Sequence, residues 1–392
     1  MLITVNEFCQ AVSQNMNDLI DQLTVISGRG GPGERRAWEY SLPKLSKALA
    51  SAQLYNSDIK DTHLYLGHLT LEYKLPSASA WCDAILLGNN TKSPQVLIIE
   101  LKDWDTSSDD PGVSESLILH KGKPYLHPSE QVKGYTLYCS RFHSAVLEDS
   151  AAVNGCVYFT RNSPIDPYKV PPHDNLVKEF PIFNLTDEDQ NNAFSKFISS
   201  RIAYPDEQFA IKFEDGIYKQ DRNILIQVAQ NMKQSQDKPF ELIDEQRKGY
   251  YLVLKAIDES TKQKNKKQVI IIEGPPGSGK SALAANLWIE SALQYNEYGN
   301  IVFVTTSSSQ KSNWSEVFNR TSQLFSGKFM ILPANQYNPG LSPALVKRFR
   351  EFGHKMDADN WEENLKIFTK NGHKYRTPDN QHFISIVDCL FR

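Results

Sequence analysis

Residues 81–104 read WCDAILLGNNTKSPQVLIIELKDW, two apolar runs joined by the polar turn GNNTKSP. Each run has the length and composition of a strand, so the stretch predicts a β-hairpin. In VLIIELK, the two-residue period places Val96, Ile98, Glu100 and Lys102 on one face, with Leu97, Ile99 and Leu101 on the other. Glu100 and Lys102 therefore point the same way, after a run free of charge. Asp83 interrupts the first run in the same manner, ahead of the uncharged Ala84–Leu87, and would lie on the neighbouring strand. Opposite charges on one face at the end of so apolar a strand predict a cleft rather than a fraying end.

Upstream, residues 5–24 carry apolar positions at helical spacing (Phe8, Val12, Leu19, Leu23), and GRGGPGERR then breaks the pattern. ERRAWEYSLPKLSKALA predicts a second amphipathic helix, with Pro43 as a kink or a restart, and HLYLGHLTLEYKL predicts a strand. Downstream, SSDDPG reads as a loop, PSEQVKGYTLYCSRFHSAVLE as a helix and NGCVYFT as a strand. Gln131 and Tyr135 lie one turn apart on that helix and share a face.

The order helix, three strands, helix, strand, with Asp83, Glu100-x-Lys102 and Gln131 at these places, resembles the PD-(D/E)xK nuclease superfamily, in particular its nuclease-related (NERD-like) domains. The resemblance covers about residues 30–160. It implies an N-terminal domain over residues 1–160 with a restriction-endonuclease-like αβββαβ core, hydrolysing phosphodiester bonds with Mg²⁺. Nucleic acid is then the expected partner, DNA before RNA. Asp83 and Glu100, with a backbone carbonyl such as that of Leu101, would hold Mg²⁺, and Lys102 would position or deprotonate the attacking water. Gln131 would complete the catalytic set, and Glu39 on the preceding helix is either a further ligand or a solvated carboxylate. Cys82 stands where the superfamily has a proline.

Between about 161 and 239 the text is less periodic, and connector plus nuclease-domain periphery is expected. RNSPIDPYKVPPHDN reads as loop, LTDEDQNNAFSKFISSRI as a helix capped by Thr186 or Asp187, and DRNILIQVAQNMKQ as another helix.

A second domain is expected over residues 240–392. QVIIIEG is an apolar strand, GPPGSGKS a loop and SALAANLWIESALQY a helix. Gly274, Gly279, Lys280 and Ser281 meet the phosphate-loop pattern GxxxxGK[ST], with Pro275, Pro276, Gly277 and Ser278 between them. Amides of such a loop bind the phosphates of ATP, the lysine neutralises β and γ charge, and the Ser281 hydroxyl faces Mg²⁺. PFELIDEQRKGYYLVL places Gln246 on an amphipathic helix, and NIVFVTTSSSQ is a further apolar strand. Together these resemble the first half of a Schlafen-like superfamily 1 DNA/RNA helicase domain. The resemblance implies that Gln246 reads adenine and that Asp388, closing the strand HFISIVD, holds Mg²⁺ through a water. Cys389 stands where that family has a catalytic glutamate, and no second motor lobe follows. Either the motor is truncated or the module binds nucleotide without translocating, with a second copy or a partner supplying the missing lobe.

At 392 residues the chain is long enough for two domains. A formal charge of −3 gives no global basic signature, so nucleic-acid contact must come from local patches. The KQKNKK run is ordinarily a solvated loop. Five scattered cysteines without a CxxC pair argue for a reducing compartment, and the nine histidines form no HExxH zinc pattern. No leader and no apolar run of membrane length is present, so the expectation is a cytoplasmic protein without a membrane partner. The whole reads as an α/β nuclease coupled to ATP binding, in anti-phage defence or DNA processing by family analogy. Alternatives are a nucleotide-gated nucleic-acid-binding protein that does not cleave, or half of an ATP-dependent helicase.

Overall fold

A computed structural model describes residues 1–55, 66–76, 80–90, 92–219, 241–262, 270, 272, 274, 278–293, 300–305, 329–333 and 383–388. Contacts divide the chain into two units, Met1–Gln220 with Ile243–Lys248, and Asp221–Leu242 with Gly249–Arg392. The chain is mixed α/β.

The strands of the first unit are β1 (Leu2–Thr4), β2 (His68–Lys74), β3 (Trp81–Asn89), β4 (Pro94–Lys102), β5 (Asp110–Ser114), β6 (Leu117–His120), β7 (Lys123–Leu126), β8 (Ala152–Phe159) and β9 (Ile182–Asn184). Six of them form one mixed sheet in the order β1-β2-β3-β4-β8-β9. The pairs from β1 to β4 are antiparallel, and β8 and β9 join in parallel. β1, three residues long, was not evident in the sequence. Its last residue caps the Val5–Gln14 helix: Thr4 Oγ1 accepts from the Glu7 amide at 3.1 Å, and the Glu7 carboxylate accepts from the Thr4 amide at 2.8 Å.

Helices cover both faces of the sheet, which is why β3 and β4 are apolar throughout. On one face, the Val5–Gln14, Met16–Ser27, Pro32–Tyr55 and Ala193–Ser199 helices bring Phe8, Leu23, Leu45 and Phe194 against Leu86, Leu97 and Ile99. On the other, the Pro128–Phe142 and Glu207–Glu214 helices bring Tyr135, Phe209 and Phe213 against Ile85, Val96 and Ile98. The period-two sorting of VLIIELK into two faces is thus the sorting of β4 between two cores. The Pro32–Tyr55 helix runs through Pro43 without a restart.

Some expectations change. SSDDPG is not all loop, because β5 begins at Asp110 and forms a small antiparallel sheet with β6 and β7. RNSPIDPYKVPPHDN is not all loop either, since it holds the Asp166–Lys169 helix and the start of the Asp174–Glu179 helix. Lys121 and Gly122, both left-handed with φ of 50° and 74°, make the tight turn between β6 and β7. Residues 161–219 belong to the first unit: β9 extends its sheet, and the Ala193–Ser199 and Glu207–Glu214 helices fill its cores. The Leu185–Asn191 helix is capped by Asn184, whose side chain accepts from the Asp187 amide, because the cap lies one residue outside the first turn rather than within it. Residues 221–234, read as a helix, lie outside the described residues.

In the second unit, β10 (Asn300–Thr305), β11 (Phe329–Pro333) and β12 (Phe383–Asp388) form a parallel sheet in the order β11-β10-β12. Tyr250 and Val253 bury against Leu283 and Leu287 of the Lys280–Leu293 helix. The Asp244–Lys262 helix gives its first residues to the first unit and the rest to the second. The strand expected at QVIIIEG falls largely outside the described residues. Among the described residues, no helix is long and apolar enough to cross a membrane.

One close approach fixes the helix that carries Gln131. A Cβ added to Gly155 on β8 would lie 2.2 Å from Val132 Cγ1 and 2.9 Å from Thr136 Oγ1, so the Pro128–Phe142 helix rests directly on the β8 backbone. Gly155→Ala is expected to destabilise the fold by about 1–3 kcal/mol in denaturant unfolding. An unchanged midpoint would show that the helix can ride higher.

Candidate functional site

The site begins with an irregularity between β2 and β3. Leu71 pairs with Ala84 and Tyr73 with Cys82, leaving Glu72 opposite Asp83. In a regular strand Leu71 and Tyr73 would share a face. Here Leu71 and Ala84 feed one core while Tyr73 and Cys82 feed the other. The change of face occurs at Glu72, whose φ of 48° is left-handed and costs a non-glycine residue about 1–3 kcal/mol. The Glu72 carboxylate is buried, accepting from Trp38 Nε1 at 2.7 Å and from an Arg29 guanidinium nitrogen at 3.1 Å. Glu72, Asp83, Arg29 and Asp103 line a cavity of about 120 Å³.

Asp83 Oδ2 accepts from the Leu101 amide at 2.8 Å, tying the start of β3 to the end of β4. Lys102 Nζ donates to Glu100 Oε1 at 2.6 Å and to Gln131 Oε1 at 3.0 Å, and lies 5.2 Å from the centre of the Trp104 ring. Asp83, Glu100, Lys102 and Gln131, picked out from the sequence, therefore come together. Beyond them, Gln131 Nε2 donates to the Tyr135 hydroxyl at 2.8 Å, which donates to Asp244.

The electrostatics are those of a site short of positive charge. Burial, with the nearby Asp83 charge adding to it, pushes the Glu100 carboxyl up to about 8 and Glu72 to about 7. Burial also raises Asp83 and Asp244. For Lys102, burial works downward, but the Glu100 and Asp83 carboxylates outweigh it and hold the ammonium above its usual range. A divalent cation would supply the missing charge. Glu100 Oε2 is buried and has no hydrogen-bond partner, so it is the atom that a cation would satisfy. Among the described residues, no three His, Cys, Asp or Glu side chains form a ready cage. The all-oxygen pair Asp83 and Glu100 fits Mg²⁺, which takes one or two carboxylates and keeps several waters.

Glu39 is exposed, and its neighbour Trp38 is the helix residue that bonds Glu72. Cys82, in the proline's place, is fully buried core, its thiol pushed up by burial. Glu72, Trp38, Arg29 and Asp244 were missed. Glu72 carried the same signal as Asp83, a charge interrupting an apolar strand. Asp244 carried none, because it arrives from beyond residue 160.

In the second unit, Gly279 is left-handed at φ 80°, and Lys280 opens the Lys280–Leu293 helix. Lys280 Nζ donates to the Gly274 carbonyl at 2.6 Å and reaches Ser278 Oγ at 3.4 Å. Ser281 is the second residue of the helix, and Pro275, Pro276 and Gly277 lie outside the described residues. Asp388 ends β12 opposite Thr305, at the carboxyl end of a parallel sheet, where such sheets bind ligands. Cys389 lies outside the described residues. Gln246, expected at adenine, belongs to the first unit, and its amide oxygen accepts from the Ile243 amide at 3.5 Å.

The raised carboxyls set a pH dependence. Glu100 and Glu72 hold protons more tightly folded than unfolded, so their contribution to stability is complete below about pH 4.5. It is lost as pH rises through about 7 and then about 8. Mg²⁺ at Asp83 and Glu100 would compete with the Glu100 proton, so its stabilising effect would grow across that window. Thermal melts are expected to show a larger Mg²⁺-induced gain in Tm above about pH 8 than below about pH 6, and little gain in an Asp83→Asn/Glu100→Gln variant. A gain independent of pH would contradict the cation reading. Comparison with known proteins found no matching family model, no matching curated protein and no matching solved structure.

Proposed function

We propose that the first unit is a Mg²⁺-dependent nuclease of the PD-(D/E)xK kind, and that the second is a phosphate-loop, helicase-like unit whose ATP binding regulates it. The observation that carries the reading is the buried, unpartnered Glu100 Oε2 beside a lysine held by Glu100 and Gln131. Asp83 and Glu100 would hold the cation, which supplies charge neutralisation at the scissile phosphate. Lys102 Nζ donates to Glu100 and Gln131, so on this reading its work is donation to a water or a phosphate oxygen. Two of its three N–H groups are engaged, and the third is left to orient a water or a phosphate oxygen. Asp83, through the Leu101 amide, fixes the strand end on which both groups stand.

The test is cleavage of labelled single- and double-stranded DNA with Mg²⁺, with RNA assayed beside it. Asp83→Ala and Lys102→Ala are expected to lose about 10²–10³-fold in rate. Equal cleavage by all three proteins would remove the assignment. Lys280→Ala is expected to abolish ATP binding and leave nucleotide-free cleavage intact; retained ATP binding would remove the phosphate-loop reading.

A second reading is favoured by the direct 2.6 Å pairing of Lys102 with Glu100, in which each group neutralises the other. On this reading the unit binds nucleic acid under nucleotide control without cutting it. It is distinguished by salt-sensitive DNA binding and no cleavage with any divalent ion.

A further inference from the structure

Lys102 is the near end of a chain of hydrogen bonds with a fixed sense. Its ammonium can only donate, so Gln131 must present Oε1 to it, and the Gln131 NH₂ then faces the Tyr135 hydroxyl. That hydroxyl accepts from Gln131 and turns its own proton to Asp244 Oδ1. Tyr135 is 1% exposed, so no bulk water substitutes for Asp244 as the terminal acceptor. Without that acceptor, the Tyr135 proton would turn toward Gln131 and favour the flipped amide, aiming an NH₂ at the ammonium.

Independent contacts hold Asp244 in place. Arg247 Nε donates to Glu130 Oε1 at 2.5 Å, with both side chains buried, and Glu130 is the neighbour of Gln131. Ile243 packs in the same core as Tyr135, and Lys248 Nζ lies 5.0 Å from the centre of the Tyr125 ring. Asp244 itself is left-handed, φ 45°. The segment Ile243–Lys248 is thus fastened to the helical turn that bears Gln131. It is also the start of the Asp244–Lys262 helix, which continues into the phosphate-loop unit.

We propose that Asp244 is a positioning residue for Lys102, acting through Tyr135 and Gln131, so that the nuclease centre is complete only when the Ile243–Lys248 segment is docked. The inference rests on the nuclease reading above for what Lys102 does, and on geometry alone for what orients it.

Steady-state cleavage by the full chain tests it. Asp244→Ala and Tyr135→Phe are each expected to lower kcat about 10–100-fold, with KM within about threefold of wild type. The double variant is expected to lose no more than either single one, since both break the same chain. Asp244→Asn, which keeps an acceptor oxygen, is expected to recover most of the rate. An Asp244→Ala kcat within about twofold of wild type, a double loss equal to the product of the single losses, or an Asn variant as impaired as Ala would each overturn the proposal. A second arm needs no cleavage: the side-chain NH₂ resonances of Gln131 in the metal-free protein are expected to shift in both Asp244→Ala and Tyr135→Phe. Unmoved resonances overturn the positioning role. Should the wild type not cleave, the nuclease reading falls alone, and the resonance arm still decides this proposal.

Discussion

Much of the first unit can be understood from one burial, the Lys102 ammonium held between the Glu100 carboxylate and the Gln131 amide at the end of an apolar strand. The Lys102 side chain is 12% exposed and that of Glu100 is 3%. Moving an ion out of water costs several kcal/mol, which is recovered only with a well-placed partner and further hydrogen bonds. The partners come from elements that packing must first align. The apolar residues of β3, β4 and β8 set the strands, and Gly155 lets the Gln131 helix rest close on them. Loss of any one partner would leave a buried charge or dipole uncompensated. A centre of this kind is rigid when complete and costly when incomplete, a combination suited to placing a reacting group.

The left-handed Glu72 is the second constraint. By moving the side chains on either side of it to opposite cores, it turns the Glu72 and Asp83 pair out of the regular pleat. Trp38 and Arg29 close on Glu72 from outside the sheet, so the strain is held by hydrogen bonds from two other segments. The outcome is a group of four carboxyls, Glu72 and Glu100 buried and Asp83 and Asp244 half-buried, near Lys102 and Arg29. Raised carboxyl pKa values are the sign of that imbalance. Protons meet it at low pH, which links stability and acidity in one site.

The second unit shows a different economy. Lys280, which opens its Lys280–Leu293 helix, donates back to the Gly274 carbonyl. The parallel strands β10 and β12 end together, Thr305 in register with Asp388, so the position of Asp388 lies at the carboxyl end of that sheet.

The sequence by itself determined the hairpin of Asp83 and Glu100, the facing of Glu100 and Lys102, the helix of Gln131 and Tyr135, and the helix opened by Lys280. Each follows from a local rule: period two in strands, 3.6 in helices, and the backbone freedom of glycine in a phosphate loop. Only the tertiary structure decided that Glu72, Trp38 and Arg29 surround Asp83, and that residues 161–219 belong to the first unit. Of residues 161–219, β9 alone joins that sheet and the rest pack within the first unit. The tertiary structure also decided that Asp244 ends the chain of hydrogen bonds from Lys102. Those relations join segments far apart in sequence, and periodicity carries no information about which distant residue fills a given gap. A left-handed backbone at a glutamate leaves no mark in the sequence either, because only the packing around Glu72 makes that conformation tolerable.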